Sequence, residues 1–260
     1  MSDPLLTIGY SVLGSRLGAL QLPAPRADVE VLVVVQGAPA EPSAEGRPDV
    51  RYLFLDTWGV SKSRNAVLDH ARGEFVIFGD DDITFDEAGI RRVLEELERD
   101  DRLGLVLAAA ADERGRLRKR YPRRSTRLHR WNAGKAATYE MVLRRAAFAR
   151  VGVRFDEEFG AGAEKYLGDE YILIADALRH DLQCRFFPQV VATHPATSSG
   201  SGFGTARDAA ARAAVFDRVF GRIAPVARLA FVLRSPRRFG SVRVAAGFVT
   251  GRVSRSSTPP

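Results

Sequence analysis

The chain has 260 residues, enough for one α/β domain with a sizeable core or for two small domains. Its apolar fraction of 45% with 15 phenylalanines argues for a folded body and against a chain disordered throughout, and its single cysteine, Cys184, excludes an intramolecular disulfide and a thiolate zinc cluster. The formal net charge is +7, but Arg114 to Arg130 holds nine basic residues and no acidic one, and eight arginines follow Phe220 with no carboxylate. Such clusters attract nucleic acid, anionic lipid or phosphate-bearing small molecules, and they also arise in an arginine-rich proteome. Met1-Ser2-Asp3-Pro4 is unlike a signal peptide, and no charge-free run of roughly 20 apolar residues is present. A cytoplasmic, reducing location is the expectation.

Leu5 to Val12 reads as a first strand, and Gly14-Ser15-Arg16-Leu17-Gly18 as a turn into a short helix. Val29–Gln36 is a second, strongly apolar strand, followed by a Pro/Ala/Glu-rich loop to Pro48. Val50–Leu55 gives a third strand, and Ser61 is the expected N-cap of a helix through about Ala71. Glu74 to Ile83 is the most informative stretch. Phe75-Val76-Ile77-Phe78 is nearly continuous in apolar character, as a buried central strand requires, and it runs into Gly79-Asp80-Asp81-Asp82. Asp86 can cap a helix through Arg99 that carries Ile90, Val93, Leu94 and Leu97 at helical spacing, and Leu103–Ala109 is a fifth strand. This β-α-β-α order predicts a mostly parallel sheet with helices on both faces, its ligand crevice at the carboxyl ends of the strands.

Beyond Ala111 the organisation changes. A hairpin turn at 112–115 leads into a basic loop, Thr138–Leu143 reads as a strand, and 146–151 as a short helix. A glycine-rich segment at 160–163 precedes an apolar-faced helix from Asp169 to His180. Arg185–Val191 reads as one or two short strands broken by Pro188, and His194-Pro195 opens a Ser/Gly-rich loop ending near Gly204. Helices are expected at 205–220 and 222–233, and the tail after Arg252 reads as disordered. No repeat is visible.

Three carboxylates in a row repel one another and need a cation, which a divalent metal carrying a phosphorylated ligand would supply; an acidic surface turn is the plainer alternative. If the backbone stays extended, Asp80 and Asp82 share a face. Ser11, Arg16, Gln36, Arg64 and Asn65 lie near strand ends or helix starts and could hold a nucleotide, with Arg64 the best pyrophosphate partner, although each is individually an ordinary capping or surface residue. Asp169-Glu170 suits either a helix start or a general base behind a glycine-rich loop. His194 could join the metal or simply pack. Neither a Walker P-loop nor a G-x-G-x-x-G turn occurs, which lowers the ATPase and dehydrogenase readings.

Trp58-Gly59-Val60-Ser61-Lys62-Ser63-Arg64-Asn65, the run Ala71 to Asp82, the pair of segments Phe155–Gly160 and Gly168–Leu173, and His194 to Gly200 together resemble family 2 glycosyltransferases of GT-A fold, in the correct order over residues 5–220. The resemblance implies a Rossmann-like, mostly parallel α/β sheet flanked by helices. It implies a catalytic domain over 1–220, with a nucleotide-sugar half (5–110) and an acceptor and metal-closing half (111–220), and then a basic helical extension and tail (221–260). Asp80 and Asp81 would lie at the donor, and Asp82, with Asp80 and His194, would hold Mn²⁺ or Mg²⁺. Ser11, Arg16, Gln36, Arg64 and Asn65 would line the nucleotide-sugar. The family's usual Glu-Asp pair is reversed here, so Glu170 falls at the base position and Asp169 is its alternate. Inverting transfer to a carbohydrate or lipid-linked acceptor is the implied reaction, on the cytosolic face of a membrane if the basic extension binds anionic lipid. Nucleic acid is disfavoured by this ordered match of segments, and the oligomeric state stays open. The competing readings are a nucleotidyltransferase, which the absence of a Gly/Arg-rich phosphate loop after the first strand argues against, and a non-catalytic basic binding protein.

Overall fold

Short runs of Val, Leu, Ile and Phe without polar alternation suit strands covered on both faces. The computed structural model describes residues 3–37, 46–195 and 205–253. In it β1 (Leu6–Leu13), β2 (Val29–Gln36), β3 (Val50–Leu55) and β4 (Phe75–Gly79) lie parallel in the order β3-β2-β1-β4. A two-residue β5 (Thr84–Phe85), β6 (Leu103–Ala111), β7 (Thr126–Arg127), β8 (Met141–Arg144) and β9 (Gln183–Thr193) extend it to a nine-stranded sheet. Its path continues β4-β8-β6-β9-β5, with β7 also on β9. β8 runs antiparallel to both β4 and β6, whereas β6 and β9 are parallel to each other.

Each face of the sheet has its own core, and period-two alternation decides which side chain enters which. Val31, Val33 and Val35 pack with Ile90, Val93, Leu94 and Leu97 of α2 (Glu87–Arg99). Leu32 and Val34 face the other way, toward Val67 of α1 (Val60–His70), Phe148 of α3 (Arg145–Val151) and Leu173, Ile174 and Ala177 of α4 (Asp169–Arg179). Each of the larger of these buried side chains contributes about 1.5–3 kcal/mol. β1 and α1 come close enough that a Cβ on Gly9 would lie 2.3 Å from Val67 Cγ1.

Three local expectations change. Gly59, at φ 123°, takes the N-cap of α1, and Ser61 is a buried first-turn residue whose hydroxyl donates to Phe159 O at 2.6 Å. The stretch expected to be a strand from Thr138 begins as a 3-10 turn, Thr138–Glu140, closed by the Glu140 carboxylate on Ala137 N at 3.2 Å, and only then becomes β8. β9 is one strand across Pro188, because its pairing with β6 is irregular there and the missing N–H is not needed. The loop over 38–45, the segment Ala196 to Gly204 and the tail after Val253 lie outside the described residues.

Toward the C-terminus, α5 (Ala206–Phe220), capped by Thr205, packs on α4, while α6 (Ala224–Arg234) and α7 (Val242–Thr250) pack on α5. Ala224 and Ala227 belong to the same cluster as Ile172 of α4, so the helical extension is continuous with the body.

Candidate active site

Strand direction decides what meets at one edge of the sheet. The carboxyl ends of β1, β2, β3 and β4 all point there, and so do those of β6 and β9. Because β8 is antiparallel, its amino end and the preceding turn Thr138–Glu140 arrive at the same edge. The two-residue pairing of β5 with β9 sets Thr84 opposite Thr193, which brings Asp82 beside His194.

Residues 80–83 form a turn closed by Ile83 N on Asp80 O at 3.2 Å, so the extended backbone that would put Asp80 and Asp82 on one face does not persist. The three carboxylates fan out instead, each toward a different partner. Asp81 pairs with Arg16 Nε at 2.6 Å, Asp80 with Arg64 Nη2 at 3.4 Å, and Asp82 Oδ2 lies 3.8 Å from His194 Nε2. Burial raises the Asp81 carboxyl above its ordinary range; Arg16 opposes this, while Asp82 and Asp80 add to it.

Arg64, on the inner face of α1, is the hub. Its Nη1 donates to Asp169 Oδ2 at 2.5 Å across 105 residues and lies 3.9 Å from Glu170 Oε1. Burial disfavours the guanidinium, yet the charges of Asp169, Asp80 and Glu170 together hold its pKa above the ordinary arginine value. The neighbouring Asn65 is committed to the chain: its amide donates to Phe155 O and Glu157 Oε1, and its carbonyl accepts from Phe155 N. Gln36, at the end of β2, donates to Thr57 O and Gly59 O and so fixes the entry to α1. Ser11 Oγ and Arg64 Nε are buried at this edge with no hydrogen-bond partner among the described residues, which is unusual for buried polar atoms away from a ligand site.

Asp169 and Glu170 open α4 behind Gly168, whose φ of +93° suits glycine and whose Cβ position would fall 2.4 Å from Val215 Cγ2. The two carboxylates have opposite circumstances. Asp169 is buried and held by Arg64. The Glu170 side chain keeps 22% exposure and accepts from Thr138 Oγ1 at 2.9 Å. Its pKa is pushed up to about 7 by burial first and by Asp169 second, against the smaller opposing effects of Arg64 and Thr138. A carboxylate that titrates near neutrality, with part of its surface open, is equipped to accept a proton.

His194 hydrogen-bonds Pro195 O through Nδ1 at 2.8 Å, which puts the proton of a neutral ring on Nδ1 and turns the Nε2 lone pair toward Asp82. Tyr139 packs on the imidazole, with ring centroids 5.1 Å apart. Among the described residues no group of three or more His, Cys, Asp or Glu side chains forms a ready-made cation cage. Carboxylate and imidazole are nevertheless the donor types that Mn²⁺ or Mg²⁺ accepts, and an incomplete protein set fits a cation that takes its other ligands from substrate phosphates. From the basic segment, Arg118 reaches the Tyr139 hydroxyl, whereas Lys119 is spent on buried Glu140 at 2.9 Å and on Lys135 O.

Thr138 and Tyr139 are the site residues that sequence reasoning missed. Neither carries a motif, and Thr138 lies 32 residues from the carboxylate it bonds.

No curated protein gives a sequence match. Among solved structures, S. aureus TarS 1-349 in complex with UDP superposes with a TM-score of 0.59 at 14% identity, over 94% of this chain and 74% of that one. The same TarS fragment in complex with UDP-GlcNAc gives 0.56 at 14%, over 96% and 73%. The mannosyltransferase PcManGT from Pyrobaculum calidifontis, in complex with GDP-Man and Mn²⁺, gives 0.59 at 17%, over 100% and 78%. These likenesses establish the GT-A arrangement of the fold. The model of glycosyl transferase family 2 matches residues 19–156, from the turn after β1 through the segment pinned by Asn65. The chain therefore belongs to glycosyl transferase family 2 and is a glycosyltransferase.

Proposed function

We propose that the enzyme transfers a sugar, with inversion, from a nucleotide-diphosphate sugar to a hydroxyl of a carbohydrate or lipid-linked acceptor, with Glu170 as the general base. The observation that carries this reading is the asymmetry of the pair. Asp169 is buried against Arg64, while Glu170 is part-exposed with a pKa raised to about 7. Glu170 would take the acceptor proton as the hydroxyl oxygen attacks the anomeric carbon on the side opposite the departing diphosphate. Thr138 holds the receiving carboxylate in place, its hydroxyl donating to Glu170 Oε1. Asp80 and Arg64 would line the donor, and Ser11 Oγ and Arg64 Nε, which have no hydrogen-bond partner among the described residues, would bond it. Arg16 would keep Asp81 turned aside. Gln36 and Asn65 would act by fixing the loops around the donor.

Asp82 and His194 would hold the divalent cation, with Asp80 as a further oxygen donor; such an ion neutralises charge developing on a leaving diphosphate. Support for the donor class comes from the relatives in complex with UDP, UDP-GlcNAc and GDP-Man, and Mn²⁺ accompanies the last. No helix among the described residues is long and apolar enough to cross a membrane, and we place the reaction on the cytosolic side, where such donors are made. Calorimetric titration with UDP and GDP, with and without Mn²⁺, tests the donor site. We expect metal-dependent binding of at least one nucleotide and its loss in Asp82→Asn. Equal metal-dependent affinity in that variant would remove Asp82 from the role.

A further inference from the structure

Helix α6 has an inner and an outer surface of different character. Inward it sends Ala224, Ala227 and Phe231 into the helical core, and Arg228, which pairs with Asp217 at 2.7 Å and donates to Val249 O. Outward, Ile223 just before the helix and then Val226, Leu229 and Leu233 are exposed at 40, 65, 47 and 73%. At 100° per residue these four fall within about one third of the circumference, so they form one apolar stripe. Val242, at the start of α7, is 86% exposed. None of these side chains is needed by the core, which is already closed by Phe216, Phe231, Phe239 and Phe248.

Exposed arginines flank the stripe: Arg222 before it, Arg234 at its end, and Arg237 and Arg243 in the segment that follows. After Asp217 the sequence holds no carboxylate that could neutralise them. We propose that this face of α6, with Val242 and the flanking arginines, is a docking surface for an anionic lipid bilayer. Apolar side chains settle at the headgroup boundary while guanidinium groups meet lipid phosphates, and the two signals together give reversible attachment where either alone is marginal. Charge selects this occupant. A second copy of the chain would bring the same arginines against these with no local acid to receive them. Nucleic acid would take the arginines but offer nothing to Leu229 and Leu233. The surface is remote in sequence from the catalytic groups and stands independently of the donor and base assignments.

Co-sedimentation of the full chain with phosphatidylcholine vesicles carrying 0 to 40% phosphatidylglycerol tests the surface. Binding is expected to rise with the anionic fraction and to fall between 50 and 500 mM salt. Each of Arg234→Gln, Arg237→Gln and Arg243→Gln should weaken it about fivefold, as expected for one basic group near a charged membrane. The pair Leu229→Ser and Leu233→Ser should weaken it at least tenfold, with an unchanged circular dichroism spectrum and melting temperature because both side chains are solvent-exposed. Absence of binding to 40% phosphatidylglycerol, or undiminished binding by the serine pair, would overturn the proposal. So would a dimer in vesicle-free solution that the serine pair dissociates, since the face would then belong to a second copy.

Discussion

Arg64→Met removes the one cation that, among the described residues, pairs with Asp80, Asp169 and Glu170. The Arg64 and Asp169 side chains are 6 and 4% exposed, so the substitution strands a buried carboxylate, which typically costs about 3–5 kcal/mol. For a domain of this size each kcal/mol moves the melting temperature by roughly 2–4 °C, so the loss should amount to roughly 6–20 °C. Arg64→Lys keeps the charge but not the two-pronged reach to Asp169 and Asp80, and should fall between the parent and Arg64→Met. Adding Asp169→Leu to Arg64→Met removes the stranded charge and should recover part of the loss. Thermal melts of the four proteins at pH 7.5, followed by circular dichroism, read these differences. The reasoning fails if Arg64→Met melts within 2 °C of the parent, or if the double variant melts no higher than the single one.

Glu170→Gln should lower turnover by roughly a hundredfold or more while leaving nucleotide affinity within a few-fold, measured by product release and by calorimetry. The folded-state pKa of Glu170 lies above its unfolded value, so its ionisation erodes stability as pH rises from about 4.5 to about 7. The same variant should therefore gain more in melting temperature at pH 8 than at pH 5, and an equal or reversed gain would contradict the assigned shift. Because the base must be unprotonated, kcat/KM in the parent should rise with pH through a midpoint near 7. Thr138→Val withdraws a hydrogen bond that favours the charged carboxylate, so this midpoint should move upward, by roughly half to one pH unit; an unmoved midpoint would make Thr138 a packing residue only. Gly168→Ala forces a side chain into a φ of +93° and against Val215, and should cost roughly 1–3 kcal/mol in denaturant unfolding; a neutral result would show that α5 gives way freely.

The strand ends were legible because apolar runs stop abruptly at Gln36, Leu55 and Gly79, and a parallel sheet must gather those ends on one edge. The carboxylate run and the Asp169-Glu170 pair were legible for the same reason, each being an expensive feature at the end or start of an element. What could not be read was direction over short distances. The turn at 80–83 sends adjacent aspartates to three different partners, and nothing in Asp80-Asp81-Asp82 says that the strand has already ended. Nor could the use of amides be read. Gln36 and Asn65 look like ligand groups near strand ends, but they bond backbone brought from 21 and 90 residues away, and Asn65 also the Glu157 side chain. Thr138 became a site residue through a turn shaped by buried Glu140, whose partners Lys119 and Tyr121 come from the loop on the far side of β6.

A single guanidinium on α1 serves carboxylates from the end of β4 and the start of α4, and this restricts how the protein can be recombined. A chimera joined anywhere between residues 65 and 168 would take Arg64 from one parent and Asp169 from the other, and a mismatch would bury an unanswered charge at the centre of the fusion. Crossovers before α1 or after α4 keep the three groups together. In a library of such hybrids, survivors should be concentrated at those junctions, and those joined in between should retain both the arginine and its aspartate.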